Sequence, residues 1–189
     1  MNPRIVETAQ RLIRDAEQLL NGGAAHDDAT IRSEYPDLLG FGFHDCDNAQ
    51  RLIAARGEDM RFCHAFRKWM LWDGRRWTTD LTDQARRIAQ NVMLEFLRQA
   101  VERQNEHAQK FARQSLDSKR LSAMLLEAEP RLFVIPEELD TQPHLLNCLN
   151  GTLDLKTGTL RPHARADLLT KIVHHNYVPG AECPTFTSV

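Results

Sequence analysis

The sequence predicts an α+β fold, a mainly helical body carrying two small antiparallel β-hairpin or meander elements. Apolar residues recur with a helical period between residues 80 and 129. Asp73-Gly74 and Asn150-Gly151 are typical of two-residue hairpin turns, and apolar or aromatic residues flank both dipeptides. Hydrophobic residues make up 42% of the chain and charged residues 26%, the ordinary balance of a globular protein.

The N-terminal stretch predicts one helix and then a loop. Apolar residues follow an i, i+3, i+4, i+7 pattern over residues 5–20, and Asn21-Gly22-Gly23 ends that pattern. Residues 24–42 are acidic and contain Pro36. We therefore assign residues 1–43 to an N-terminal helix and acidic linker, and residues 44–189 to one domain.

A short helix is predicted to begin at Asp47. The Asp47 side chain can cap the helix, Gln50 stands at the reciprocal position of a capping box, and Gly57 can end the helix.

The first β element is predicted over residues 60–78, with its turn at Asp73-Gly74. This turn places Trp72 opposite Arg75 and Met70 opposite Trp77. Asp73 is the only acid between residues 61 and 77, so this segment carries a local charge of +4. Burying a tryptophan is worth more than stacking it on a base, so most of these rings should be core, with Arg75 covering Trp72 or Trp77.

A long helical region follows, with Thr82 as its N-cap and a polar interval over residues 102–108 that is either a turn or an exposed part of one helix. Residues 132–135 predict a short strand, and residues 136–139 a turn. Residues 165–171 predict a helical turn, and residues 172–177 an extended run.

The second β element is a meander over residues 145–161. A type I′ turn at Asn150-Gly151 places Cys148 opposite Leu153, and Gly158 suits the left-handed position of the next turn. One face is then wholly apolar and is predicted to be buried: Leu146, Cys148, Leu153 and Leu155.

Four strings in this order resemble one protein family: KWMLWDGRRW (68–77), LLNCLNGTLDLKTGTLRPH (145–163), ADLLTK (166–171) and YVPGAECP (177–184). Together they resemble the helper domain that precedes the superfamily-three helicase in phage- and plasmid-type DNA primase–helicases, relatives of the poxvirus primase–helicase. The string HDCDNAQRL is similar to a further motif of that family through Asp45, Asn48, Ala49 and Arg51, whereas His44 and Asp47 replace its expected threonine and glycine.

This resemblance implies a non-catalytic helper domain that supports hexameric ring assembly and DNA guidance during replication, cut before an ATPase domain. The implied partners are single-stranded or forked DNA, the protein's own helicase domain and further copies of the chain. No G-x-x-x-x-G-K-[ST] loop occurs in the sequence, so we expect no cofactor here and place ATP and Mg²⁺ in the helicase domain of the full-length helicase/primase.

The net charge of −2 shows no overall basic excess, so any nucleic-acid-binding surface must be local. The candidates are basic residues in or near the two β elements: Arg67, Lys68, Arg75, Arg76, Lys156, Arg161, Arg165 and Lys171. We predict no catalytic residue and no metal ligand. The absence of a signal peptide and of C-x-x-C spacing favours a cytoplasmic protein with reduced cysteines.

Two alternatives remain open at this point. One is a purely structural spacer that does not contact DNA. The other is a small metal-dependent enzyme that uses the cluster from His44 to Asp47, with Cys63 and His64, although this cluster lacks the paired spacing of zinc sites.

Overall fold

A computed structural model describes residues 35–181 of the chain. The predicted helix over residues 5–20, the start of the predicted linker and the last three residues of YVPGAECP lie outside these residues. None of the helices in the described part of the chain is long and apolar enough to cross a membrane.

The described residues confirm the α+β class, with four α-helices and two three-stranded antiparallel sheets. The helices are α1 (Asp45–Arg56), α2 (Gln84–Glu102), α3 (Glu106–Ser115) and α4 (Ser118–Ala128). The first sheet contains β1 (Met60–Cys63), β2 (Lys68–Trp72) and β3 (Trp77–Thr79). The second sheet contains β4 (Leu145–Cys148), β5 (Gly151–Asp154) and β6 (Thr159–Arg161).

The chain divides into two compact units, each built from two chain segments. The helical unit combines the residues up to Gly57 with Asp83–Leu132, and the β unit combines Glu58–Thr82 with the residues from Phe133 onward. The predicted boundary between residues 43 and 44 stays a prediction.

In the helical unit, α1 packs on α4, and α2 packs on both α3 and α4. The core of this unit combines alanines with large apolar side chains, and small residues let helices approach closely. The fully buried residues include Ala49, Leu52, Ala89, Val92, Met93, Phe96, Ala100 and Ala112.

Helix α1 begins two residues before the predicted start, and His44 is its N-cap. The predicted cap, Asp47, instead occupies the third helical position, where its Oδ2 accepts a hydrogen bond from the backbone N–H of His44 at 2.9 Å. A carboxylate in the first turn is favourable because it faces the positive end of the helix dipole. Gly57 ends the helix as predicted.

The long helical region is broken into three helices rather than one. Asn105 caps α3 by accepting from the backbone N–H of Ala108, and Asp117 caps α4 by accepting from Lys119. Residues 103–105 of the polar interval therefore form a turn, while residues 106–108 begin α3. Thr82 is not the cap of α2, because Asp83 occupies that position with a left-handed φ of 59°.

The first sheet has a different register from the one predicted. Trp72 pairs with Trp77 rather than with Arg75, so the β2–β3 loop contains four residues instead of two. The pairing moves by two residues, so each side chain keeps its predicted face. Strand β1 pairs with the other edge of β2. The predicted strand over residues 132–135 is only a single parallel bridge between Phe133 and Phe62.

The second sheet also has a shifted register. Cys148 pairs with Gly151, so the two-residue loop is Leu149-Asn150 and the predicted type I′ turn at Asn150-Gly151 is wrong. Gly151 lies inside β5, where an added Cβ would stand 2.5 Å from the backbone oxygen of Arg161. This close approach requires glycine in the strand and moves the turn one residue earlier. Gly158 adopts the left-handed conformation predicted for it, with φ of 69°.

The prediction of one wholly apolar buried face in the second sheet is wrong. Cys148 and Leu153 are buried, but Leu146 and Leu155 on the same face are exposed. On the opposite face Asn147 and Thr152 are buried. Both faces of this small sheet are therefore partly covered, and a polar pair lies under one of them.

After β6 the chain forms a single 3₁₀ turn, Arg165–Asp167, which is shorter than the predicted helical turn. The run predicted to be extended forms one isolated bridge, between Val173 and Cys148.

Candidate nucleic-acid interface

All eight predicted basic residues belong to the β unit. They fall into groups along the two sheets. Arg67 and Lys68 stand where the β1–β2 loop enters β2, Arg75 and Arg76 in the β2–β3 loop, Lys156 in the β5–β6 loop, and Arg161 at the end of β6. Arg165 and Lys171 lie in and after the 3₁₀ turn that follows β6.

Asn147 holds several of these segments together. Its buried Nδ2 donates to the backbone oxygens of Arg75 and Lys171, both at 3.0 Å. Its Oδ1 accepts from His163 Nδ1 at 2.9 Å and from the Thr152 hydroxyl at 3.4 Å. The amide therefore uses its full donor and acceptor capacity to join the β2–β3 loop, β5 and the chain after β6.

A shallow, open depression of about 490 Å³ lies beside these hydrogen bonds. Its lining comes from the β2–β3 loop, the β4–β5 loop and β6 with the residues after it: Gly74, Asn150, Leu160, Arg161, Pro162 and His163. Of the predicted basic residues, Arg161 contributes to the lining and Arg75 is the neighbour of Gly74. Arg67 and Lys68 lie at the other end of β2, a strand of about 13–16 Å by its geometry.

Three of the arginines are engaged within the protein. Arg161 donates to Asp167 at 2.7 Å, and this carboxylate raises the pKa of the Arg161 guanidinium. Arg165 pairs with Asp59 at 2.5 Å. Arg76 donates to the backbone oxygen of Thr170 at 3.3 Å and approaches the carboxylate of Asp73 at 3.6 Å.

The remaining basic residues face solvent. Arg67, Lys68, Arg75 and Lys156 are exposed, and within residues 35–181 their side chains have no ion-pair partner. Lys171 is 87% exposed and its Nζ lies 3.9 Å from Asp140 Oδ2, at the outer limit of an ion pair. Phosphate contacts need such solvent-facing cations.

The aromatic rings of the first sheet are mostly core, as predicted: Phe62, Trp69 and Trp77 are buried. The cation–π partner is not Arg75. The guanidinium of Arg61 lies 5.1 Å from the Trp77 ring, and that of Arg165 lies 5.8 Å from the Trp72 ring. The shifted register explains the difference, because Arg75 lies in the loop rather than on the strand opposite Trp72.

Phe66 is the exception among these rings, with 49% of its surface exposed in the β1–β2 loop. The sequence did not separate Phe66 from the buried rings of this segment, because the free energy of burial favours a core position for every one of these rings.

Arg51 of the helical unit has a role that the sequence did not reveal. It is fully buried, and it donates to the backbone oxygens of Leu38, Phe41 and Gly42 at 2.9, 3.0 and 2.7 Å. Its guanidinium also lies 4.0 Å from the Phe96 ring centre. Burial lowers the pKa of Arg51 to about 10. Arg51, a residue of the HDCDNAQRL motif, therefore has a structural role. Only its burial in the folded chain reveals this role.

The cluster proposed for the alternative enzyme offers no metal geometry. Within residues 35–181 no three His, Cys, Asp or Glu side chains are grouped to hold an ion. Cys63 is a core residue of the β unit, and His64 stacks edge-on against Phe62.

Comparison with known families gives one match. The family model described as D5 N terminal like matches residues 49–189, which is most of the chain. No curated protein matches the chain.

Proposed function

The chain belongs to the D5 N terminal like family, the N-terminal domain of phage and plasmid primase–helicases, and we propose that within such a protein it guides single-stranded or forked DNA and supports a hexameric ring. The family is a non-catalytic one. We assign ATP and Mg²⁺ to the protein's own helicase domain, which is also its expected partner.

One observation carries the DNA part of this proposal. Arg67, Lys68, Arg75 and Lys156 occupy loops or strand ends of the β unit, and their charges are not neutralised within residues 35–181. Loops at strand ends can follow a flexible single strand, and exposed cations can displace the counterions of its phosphates. The other predicted cations contribute less, because Arg161 and Arg165 would first have to leave their carboxylates.

The ring part of the proposal follows from effective concentration. A weak contact made by one copy of this domain is repeated around a hexamer that the helicase domain already holds together. Linked weak contacts gain strength without any new interaction, so this domain needs no large interface of its own.

The DNA proposal is tested by measuring single-strand affinity over a series of salt concentrations. Each phosphate contact adds about 0.7 to the slope of log affinity against log salt for a single strand. We expect the double variant Arg75→Ala/Lys156→Ala to lower that slope by about 1.4. The matched control is Lys110→Ala/Arg113→Ala, which removes two exposed cations from α3 and should leave the slope unchanged.

The result also separates a DNA guide from a structural spacer. A spacer predicts no salt-dependent binding by the unaltered chain. Equal slopes for the two double variants would show that Arg75 and Lys156 do not contact phosphate.

The ring proposal has its own test. In a polypeptide that carries both this domain and a helicase domain, deleting the domain should lower the hexamer fraction at sub-saturating concentration, measured by sedimentation. An unchanged hexamer fraction would contradict the proposal.

A further inference from the structure

The tip of the β1–β2 hairpin presents one aromatic ring to solvent. Cys63 pairs with Lys68, so the loop contains the four residues from His64 to Arg67. The backbone N–H of Arg67 donates to the His64 carbonyl at 3.2 Å, and Arg67 has a left-handed φ of 52°. This closed turn holds Phe66 at the tip, next to the two cations.

The exposure of Phe66 contrasts with the packing of the sheet that carries it. Phe62 and Trp69 flank the loop on β1 and β2, are buried, and contact each other with ring centres 5.2 Å apart. Phe66 is 49% exposed and makes no ring contact within residues 35–181. An exposed phenylalanine forgoes part of the free energy of burial, and Phe66 does so directly beside two solvent-facing cations.

Two cations stand next to Phe66 in the sequence. Arg67 and Lys68 follow Phe66 directly, and the nearest acids along the chain are Asp59 and Asp73. Asp59 is paired with Arg165. Asp73 accepts from the backbone N–H groups of Arg75 and Arg76 and lies 3.6 Å from the Arg76 side chain. Both acids are engaged elsewhere, and within residues 35–181 neither Arg67 nor Lys68 has an ion-pair partner.

We propose that Phe66 stacks on an unpaired base of single-stranded DNA while Arg67 and Lys68 bind the neighbouring phosphates. The proposal rests on the DNA contact proposed above and assigns one base-contacting residue to it. An aromatic face beside solvent-facing cations is the combination that single-strand-binding proteins use, because any base offers a face for stacking and each nucleotide carries a phosphate. Such a contact is tolerant of sequence and specific for unpaired DNA.

The test compares two single-stranded oligonucleotides of equal length, one with bases and one abasic, using the full 189-residue chain. We expect the unaltered chain to bind the base-containing strand about fivefold more tightly or better. Phe66→Ala should abolish this preference and leave the salt slope unchanged. Phe66→Trp should retain the preference because it keeps an aromatic face.

Two further variants make the test specific. Phe133→Ala removes another exposed phenylalanine of the β unit, at 57% exposure, whose neighbours Leu132 and Val134 carry no charge. This variant should leave both the preference for the strand with bases and the salt slope unchanged. Arg67→Ala/Lys68→Ala should lower the salt slope by about 1.4 while the strand with bases stays the preferred one.

The outcomes distinguish this inference from the proposed function. If the unaltered chain binds both strands equally well with a clear salt slope, stacking is wrong and DNA guidance stands. If the chain binds neither strand, both proposals fail. If Phe66→Ala keeps the base preference but lowers the mass of an assembly measured by sedimentation, Phe66 is a protein contact and the stacking proposal is overturned.

Discussion

Arg51 in the helical unit and Asn147 in the β unit are both buried polar side chains that join separate parts of the chain, but they differ in charge. Arg51 in the helical unit binds three backbone oxygens through its guanidinium and lies over Phe96. Asn147 in the β unit binds two backbone oxygens, His163 and Thr152. Arg51 is therefore a buried cation, whereas Asn147 is a buried neutral amide.

This difference shows two ways to hold irregular chain against a small core. A buried cation is costly, and the fall in the pKa of Arg51 to about 10 reflects that cost. Carbonyl dipoles and aromatic faces offset it, so Arg51 and the segment that supplies the carbonyls depend on each other. Asn147 carries no charge and all its hydrogen-bonding groups are used, so its burial costs little.

The largest expected effect is that of Arg51→Met. Methionine keeps the contact with Phe96 but leaves the backbone oxygens of Leu38, Phe41 and Gly42 without their donor. We expect the free energy of unfolding to fall by about 3–5 kcal/mol, measured by urea denaturation and by hydrogen exchange of α1 amides. Arg113→Met, at an exposed position of α3, should change it by less than about 0.5 kcal/mol.

If Arg51→Met lowers the free energy of unfolding no more than Arg113→Met does, Arg51 does not hold the segment over residues 38–42. Faster hydrogen exchange in Arg51→Met that is confined to the β unit would also contradict the role of Arg51 in the helical unit.

Asn147→Asp should have the next largest effect. The replacement keeps the shape but turns the Nδ2 donor into an oxygen that faces the carbonyls of Arg75 and Lys171. We expect about 3 kcal/mol of destabilisation, seen as faster hydrogen exchange in the second sheet. Asn176→Asp introduces the same charge at an exposed position and should leave exchange unchanged. Equal hydrogen-exchange rates in the two variants would show that Asn147 does not hold these segments together.

Gly151→Ala tests the register of the second sheet. Alanine there would adopt φ of 151° and place its Cβ 2.5 Å from the Arg161 oxygen, so we expect a loss of about 2 kcal/mol in a denaturation experiment. At Gly158, with φ of 69°, nothing lies within 4 Å of an added Cβ, and Gly158→Ala should lose about 1 kcal/mol from backbone strain alone. Had Asn150-Gly151 formed the turn, the two substitutions would cost the same.

Arg67→Gly should have the smallest effect and the opposite sign. Glycine adopts the left-handed φ of 52° without strain, so we expect stability to rise by about 0.5 kcal/mol while the affinity for single-stranded DNA falls. Thermal denaturation and salt-dependent binding measure the two effects. A destabilised variant would show that the Arg67 side chain supports the turn, and unchanged affinity would remove it from the DNA-binding surface.

Local sequence patterns predicted the strands and helices well but misplaced their partners. Asp73-Gly74 lies within a loop and Asn150-Gly151 spans the end of one, yet each sheet has its pairing shifted by two residues from the predicted register. In the second sheet the Asn150 amide binds the backbone of Tyr177 through both its oxygen and its nitrogen. This distant segment favours a loop at Leu149-Asn150, and no local pattern reveals it.

The candidate site was predicted only in part for a similar reason. Composition located the basic residues, but it could not separate Arg75, which faces solvent, from Arg161 and Arg165, which are paired with acids. Asp59 lies far from Arg165 along the chain, so the pair forms only once the β unit has folded. Phe66 could not be distinguished from the buried rings Phe62 and Trp69 for the same reason.

The sequence by itself determined the α+β class, the approximate strands and helices, and the family, because periodicity, turn residues and motif order are local properties of the chain. Tertiary structure alone decided the strand register, the burial of Arg51 and Asn147, and which cations within residues 35–181 have no ion-pair partner. These depend on contacts between residues distant in sequence, where packing and hydrogen-bond satisfaction outweigh local preference.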